Sequence, residues 1–256
     1  MVGLVLGVVR FPVLMSVETS IGITAGTNLG VSTLGAITAA IRHYRQNNIQ
    51  FHAFVFLATT GAAGAFIGSF LTGYIPIAIL LTVIGLTVSY ESFVLLKGSR
   101  INRKNDRNIK SFKVDGPETS NNIVINSKNR LILLESIIGF GVGFLGGLVG
   151  LVLGSIRMPA MISILKMEPR IAVGTNLAAA SVMGISGMIG HIINNNIDYL
   201  VLTVMGSAAM VGGYLGARYT NRFSEKSLKR LIGIVLIVVA FTMFLRVFEM
   251  TTHILN

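Results

Sequence analysis

Two arginines stand where arginine is costly. Arg10 and Arg157 each lie inside an apolar run, at matching places in the chain, two residues before a proline, Pro12 and Pro159. An arginine at membrane depth costs at least about 2.5 kcal/mol on insertion scales and is usually kept for a partner or a ligand. Two such charges brought together, beside helix N-termini freed by the prolines, would make an anion site with backbone N–H groups as further donors. The competing reading is snorkelling, in which each guanidinium rises to the headgroups from a tilted helix end. Thr27-Asn28 and Thr175-Asn176 each follow a glycine within a long apolar stretch. Their hydroxyl and amide groups can hydrogen-bond oxyanion oxygens without a competing charge. Thr and Asn also join helices to one another inside membranes, and that reading stands beside the first. The expected substrate-binding set is therefore Arg10, Arg157, Thr27, Asn28, Thr175 and Asn176, with Pro12, Gly154 and Pro159 breaking the helices that carry the arginines.

The matching places arise because residues 7 to 71 are written twice. Gly7-Val8-Val9-Arg10-Phe11-Pro12 through Gly26-Thr27-Asn28-Leu29 returns as Gly154-Ser155-Ile156-Arg157-Met158-Pro159 through Gly174-Thr175-Asn176-Leu177. The offset is 147 at the Arg and Pro and 148 from the Gly-Thr-Asn onward, where it also pairs His43 with His191, Asn48-Ile49 with Asn196-Ile197, Gly64 with Gly212 and Gly68 with Gly216. Duplicated halves set in lipid are the usual build of a secondary transporter, with substrate held where the copies meet.

The composition places this chain in lipid. Of 256 residues 52% are hydrophobic and 12% charged, against about 25% charged in soluble domains, and the mean hydropathy is +0.74. Apolar stretches at 20–41, 50–73, 75–96, 171–193, 198–217 and 231–248 each have roughly the 20-residue length needed to cross a bilayer as a helix. The net charge of +11 would suggest nucleic acid in a soluble protein, but the basic residues lie almost wholly in loops, where they read as topology signals. The absence of cysteine excludes disulfides, thiolate metal sites and Cys nucleophiles. The start Met1-Val2-Gly3-Leu4 lacks the basic region and cleavage site of a signal peptide.

Loop charges set the expected orientation. After 20–41 come Arg42 and Arg45, whereas the loop Thr72–Pro76 is uncharged; in the second copy His191–Asp198 has no Lys or Arg, while the next loop carries Arg218, Arg222, Lys226, Lys229 and Arg230. Basic loops stay cytoplasmic, so equivalent loops of opposite charge imply inverted copies. Six spans obey this only if the segment 131–165 begins and ends on one side, as a re-entrant hairpin or broken helix. Its run Gly139, Gly141, Gly143, Gly146, Gly147, Gly150 and Gly154 before Pro159 permits interruption. Broken backbone survives at membrane depth only where protein or a water-filled cavity satisfies it, so the break marks a site. This arrangement puts 18 of the 21 basic residues inside; eight crossings would segregate them far less well.

The resulting architecture is all-α and polytopic: residues 1–96 form a first transmembrane repeat, 97–130 a basic, solvated cytoplasmic linker, and 131–250 a second repeat. Each repeat has a leading broken or re-entrant helix followed by three spans. Residues 131–147 have no counterpart upstream of Gly7, so the first copy is expected either to begin inside its leading helix or to have lost that limb.

Other polar and small residues are weaker candidates. Gly64 with Gly68 and Gly212 with Gly216 form small-xxx-small faces suited to close helix packing. His43 and His191 fall at span ends and read as interfacial. Glu18, Glu91 and Glu135 border apolar segments and could carry protons, but none is repeated. An intramembrane enzyme would need a close carboxylate pair, a His cluster or an activated Ser, and the spans supply none. Neither cofactor, metal nor catalytic residue is expected. A channel stays open as an alternative, and a scaffold leaves the twin Arg-x-Pro unexplained.

Gly139-Phe140-Gly141-Val142-Gly143-Phe144-Leu145-Gly146-Gly147-Leu148-Val149-Gly150 with Pro159, and Gly174-Thr175-Asn176-Leu177 echoed by Pro12 and Gly26-Thr27-Asn28-Leu29, together resemble the TauE/SafE family, the sulfite exporter or toluene-sulfonate uptake permease group, over nearly the whole chain. The resemblance implies a plasma-membrane secondary transporter, an exporter of a small anion such as sulfite, a sulfonate or another organosulfur or carboxylate anion. A proton or a sodium ion would be the coupling ion, and a homo-oligomer stays open. The family usually shows a Gly-Gly-Gly triplet before that proline; this chain has Leu153-Gly154-Ser155-Ile156-Arg157, with side chains where substrate would approach, so the resemblance does not identify the anion.

Overall fold

The computed structural model describes residues 20–76, 121–163, 165 and 167–219, with Gly7, Arg10, Phe11, 13–15, scattered positions between 79 and 93, and 241. Pro12, Glu18, Glu91, most of the expected spans 75–96 and 231–248, and linker residues 97–120 lie outside the described residues. Among the described residues the structure is all-helical. The helices are α1 (Ile21–Arg45), α2 (Phe51–Leu71, continued by a 3-10 turn Thr72–Tyr74), α3 (Asn121–Val149), α4 (Gly154–Ser163), α5 (Pro169–Ile193) and α6 (Tyr199–Tyr219). Among the described residues three segments, Phe51–Tyr74, Ile132–Val149 and Arg170–Ile193, are long and apolar enough to cross a membrane, and Tyr199–Leu215 is a shorter apolar helix. α1 has the length, about 37 Å at 1.5 Å per residue, but its Thr24, Thr27, Asn28 and Thr33 make it more polar. Those four side chains are buried, so they face protein and cost nothing against lipid.

Sequence chemistry sets the helix ends. Ser20 caps α1, its Oγ accepting from Ile23 N at 3.5 Å, and Arg42, His43 and Arg45 occupy the last turn, where cations suit the dipole. α1 and α5 both stop through an asparagine in the left-handed region, Asn47 (φ 55°) and Asn195 (φ 54°), which tolerates that conformation better than most residues. The following N–H reaches back five residues in each case, Asn48 N to His43 O at 3.0 Å and Asn196 N to His191 O at 2.8 Å. These are the same C-terminal motif at positions 148 apart, so the sequence duplication is also one of local backbone geometry.

The segment 131–165 is interrupted, as its glycines predict. α3 ends at Val149; Gly150 turns left-handed (φ 72°), Leu151 N bonds Gly146 O at 3.0 Å, and α4 starts at Gly154. A side chain at Gly150 would be strained by that φ and would collide with the backbone of Ala25 on α1. The interruption is therefore centred on 150–153. Gly154 is the first residue of α4, and Pro159 lies within α4, after the break. α3 also reaches back to Asn121, ten residues into the stretch expected to be linker.

Packing interlaces the two copies. α1 contacts both α5 and α6, and α2 contacts both α3 and α5. Gly26 of α1 meets the carbonyl of Asn196, and Gly174 of α5 meets that of Asn48. Each of these glycines lets the other copy's loop lie on its helix at a distance no side chain permits. Gly64 and Gly68 of α2 lie against the backbone of α3 at Phe140 and Phe144, in agreement with the packing role their spacing suggests.

Candidate functional site

Arg157 sits on the first turn of α4 and is 1% exposed. Its Nη1 donates to Met183 Sδ at 2.9 Å, a weak acceptor, and its Nε is buried without a hydrogen-bond partner. No carboxylate among the described residues forms an ion pair with it. The guanidinium borders a cavity of about 20 Å³ lined by the break residues Leu151, Val152 and Leu153, by Gly143, Gly146 and Gly147 of α3, and by Ala180, Met183 and Gly184 of α5, among others. That space holds about one water.

Arg10 behaves differently. It is partly buried, and its Nε donates to Asn28 Oδ1 at 2.9 Å while Nη2 reaches Asn28 O at 3.1 Å and Ser32 Oγ at 2.7 Å. The copies can be compared atom by atom. Asn28 Nδ2 donates to Gly150 O at 2.9 Å and Asn176 Nδ2 to Gly154 O at 3.3 Å, so both asparagines hold the flanks of the interruption. Asn28 Oδ1 then accepts from Arg10, whereas Asn176 Oδ1 is buried with no partner, as is Arg157 Nε. The third acceptor of the first copy, Ser32, corresponds to Ala180. One copy closes its Arg–Asn pair; the other leaves donor and acceptor both without a protein partner, a condition met by an ordered water or a ligand, since buried polar groups are almost always paired.

Thr27 and Thr175 face elsewhere. Thr27 Oγ1 accepts from Asp198 N at 2.9 Å and Thr175 Oγ1 from Gln50 N at 3.0 Å. Asp198 and Gln50 are themselves 148 apart, so each copy's threonine secures the other copy's inter-helix loop. The six expected residues thus fall into Arg157 and Asn176 beside the break, Arg10 and Asn28 bonded to one another, and two threonines holding loops.

His191, read from sequence as interfacial, is fully buried, with Nε2 3.0 Å from Gly147 O and Nδ1 unpartnered. The loop 194–198 folds over it, since Asn196 N returns to His191 O; a span-end position gave no signal of this. Gly150 belonged to the glycine run without being distinguished within it, and its proximity to Asn28 could be found only in three dimensions.

A helix broken inside an all-helical apolar bundle, with a lone buried arginine at the break, is a membrane-transport architecture. The chain matches the family described as Sulfite exporter TauE/SafE over residues 1–243, and it belongs to that family of membrane transporters. It is 23% identical over 250 residues to the probable membrane transporter protein YunE of Bacillus subtilis (strain 168), covering 93% of this chain and 89% of that one. To the probable membrane transporter protein YdhB of the same organism it is 27% identical over 207 residues, 81% and 78% of the two chains. It is 24% identical over 232 residues to the probable membrane transporter protein MJ0441 of Methanocaldococcus jannaschii, 86% and 78% of the two chains. No solved structure matches the chain significantly.

Proposed function

We propose that the protein is a multi-pass plasma-membrane secondary transporter that carries a small oxyanion, sulfite or a sulfonate, by alternating access between two inverted copies. The observation that supports the anion is Arg157: a permanently charged group, buried, with no carboxylate partner and no acceptor for its Nε among the described residues. An oxyanion would accept from Nε and an Nη together, the bidentate geometry that a guanidinium offers. Asn176 is its expected neighbour at the site, its amide able to present either a donor or an acceptor according to the orientation of the group.

The cavity supports the alternating part of the reading. About 20 Å³ accommodates a water but not a four-atom oxyanion, so on this reading loading requires α4 and the break to move away from the helices that line the space. The moving junction would be Gly150–Leu153, where α3 ends and the short α4 begins; Asn28 and Asn176 tie its flanks to α1 and α5, and Thr72 and His191 bond the last turn of α3 at Leu148 O and Gly147 O. Arg10 is assigned to holding the first copy's Asn28 against the break, with Thr27 and Thr175 as the fixed points between copies.

The test is flux in proteoliposomes with sulfite, methanesulfonate and small carboxylates. Removing one charge-assisted pair costs about 1.5–3 kcal/mol, a loss of roughly tenfold or more in affinity. Arg157→Gln is therefore expected to lose transport of whichever anion the parent moves. Undiminished transport by that variant would refute the site, and a parent inert toward every anion would refute the substrate class.

A further inference from the structure

We propose that Glu135, with His52 as its outward partner, is the proton-binding site that couples anion movement to a pH gradient; the proposal rests on the transporter reading and names the coupling ion that reading leaves open. Glu135 lies on α3 and is 1% exposed, yet its Oε2 is buried with no hydrogen-bond partner. A fixed structural carboxylate would have its oxygens satisfied. The group nearest to it in charge terms is His52 on the first turn of α2, with Nδ1 3.6 Å from Oε2 and a side chain 42% exposed. That separation lies just beyond a direct hydrogen bond. A buried carboxylate next to an exposed imidazole is an arrangement in which a proton from solvent binds the ring and passes to the carboxylate, neutralising it.

The position of Glu135 on α3 explains how its charge would be felt at the anion site. Residues 135, 139, 143 and 147 are spaced by four and share one face of the helix. Along that face Gly139 meets Leu57 and Thr60, Gly143 meets the backbone of Gly61, and Gly147 that of Ala65, all on α2. Glu135 and His52 thus close one end of a backbone-to-backbone seam whose other end, at Gly143, Gly146, Gly147 and Ala65, forms a wall of the Arg157 cavity. The two ends are about 18 Å apart at 1.5 Å per residue. A deprotonated Glu135 attracts a protonated His52 across the seam and holds α2 to α3; a protonated one does not. Other titratable and charged residues sit along α3 or against it. Arg157 and His191 meet its glycine-rich end, and Lys128 and Arg130 precede Glu135 on the same helix. Among the described residues no second carboxylate pairs across this seam.

The experiment separates exchange from coupling. Proteoliposomes containing parent, Glu135→Gln or His52→Gln are assayed with sulfite and with methanesulfonate in two modes: anion-for-anion exchange without a pH gradient, and net flux driven by an imposed gradient. Substrate protonation is identical for all three proteins, so differences between them report on the protein's own group. Glu135→Gln is expected to keep exchange within about twofold of the parent while losing the stimulation by the gradient, and His52→Gln to shift the pH at which that stimulation sets in. Full gradient stimulation in Glu135→Gln would overturn the proposal, as would equal loss of both modes in a variant whose melting temperature matches the parent's, or a parent flux indifferent to pH. A parent that moves neither anion in either mode removes the transporter reading itself; parent flux with coupling unaltered in Glu135→Gln removes only this inference.

Discussion

A guanidinium whose Nε finds no acceptor on the protein is a hydrogen-bond network left incomplete by the chain itself, and Arg157 has this property where Arg10 does not. The difference comes down to two positions. Ser32 in the first copy gives Arg10 a hydroxyl; Ala180 in the second gives Arg157 a methyl, and the amide of Asn176 turns to Gly154 without meeting the arginine. Removing an unpaired buried charge usually relieves the protein. Arg157→Met is therefore expected to raise or preserve the melting temperature in anion-free detergent while abolishing transport, a combination that an arginine kept for stability could not produce. Arg10→Met should show the reverse, a fall of about 1–3 kcal/mol in stability as Asn28 and Ser32 lose a charged donor, measured by denaturant or thermal unfolding. The alignment of the copies contained the Ser32–Ala180 exchange, since it lies four residues beyond the Gly-Thr-Asn motif. The repeat marks what the copies share, whereas the proposed anion site rests on what they do not. Glu135 carries no such signal in the sequence, since it has no repeat and its burial depends on how α2 docks.

At the scale of elements, the interruption between α3 and α4 organises the site, and Gly150 permits it. Gly150→Ala combines a left-handed φ with a collision against Ala25. Strain of that kind costs of order 1–3 kcal/mol, and the collision adds to it. The variant should melt well below the parent, whereas Gly141→Ala, which meets nothing within 4 Å in mid-helix, should match or exceed it. Comparing the two melting curves tests whether the break, and not glycine content at large, is what the segment requires. The existence of the break was legible from a 35-residue apolar segment dense in glycine, because that length is wrong for one crossing. Its location was not, since proline and the first glycine of α4 are equally good breakers in isolation and only the contact with α1 selects Gly150. The start of α3 at Asn121 was also hidden, because a polar helix end and a polar linker have the same composition.

Across the whole molecule, the repeated Thr-to-loop bonds, the left-handed asparagines and the glycine-to-carbonyl contacts all recur 148 residues apart. Inverted copies carry one further expectation, that equivalent loops face opposite sides of the membrane. With no native cysteine, Gln46→Cys should react with an impermeant maleimide only from the cytoplasm and Asn195→Cys only from outside; labelling of both from one side would show parallel copies. The proposed anion site nevertheless rests on the side chain of Arg157, and ligand-induced stabilisation addresses it directly, because an anion that binds the native state raises the melting temperature in proportion to the logarithm of its concentration. Titrating sulfite and methanesulfonate against the parent, Arg10→Gln and Arg157→Gln in detergent should give a concentration-dependent rise for the first two and none for Arg157→Gln. An unchanged rise in Arg157→Gln, or its loss in Arg10→Gln alone, would rule out an anion site at Arg157.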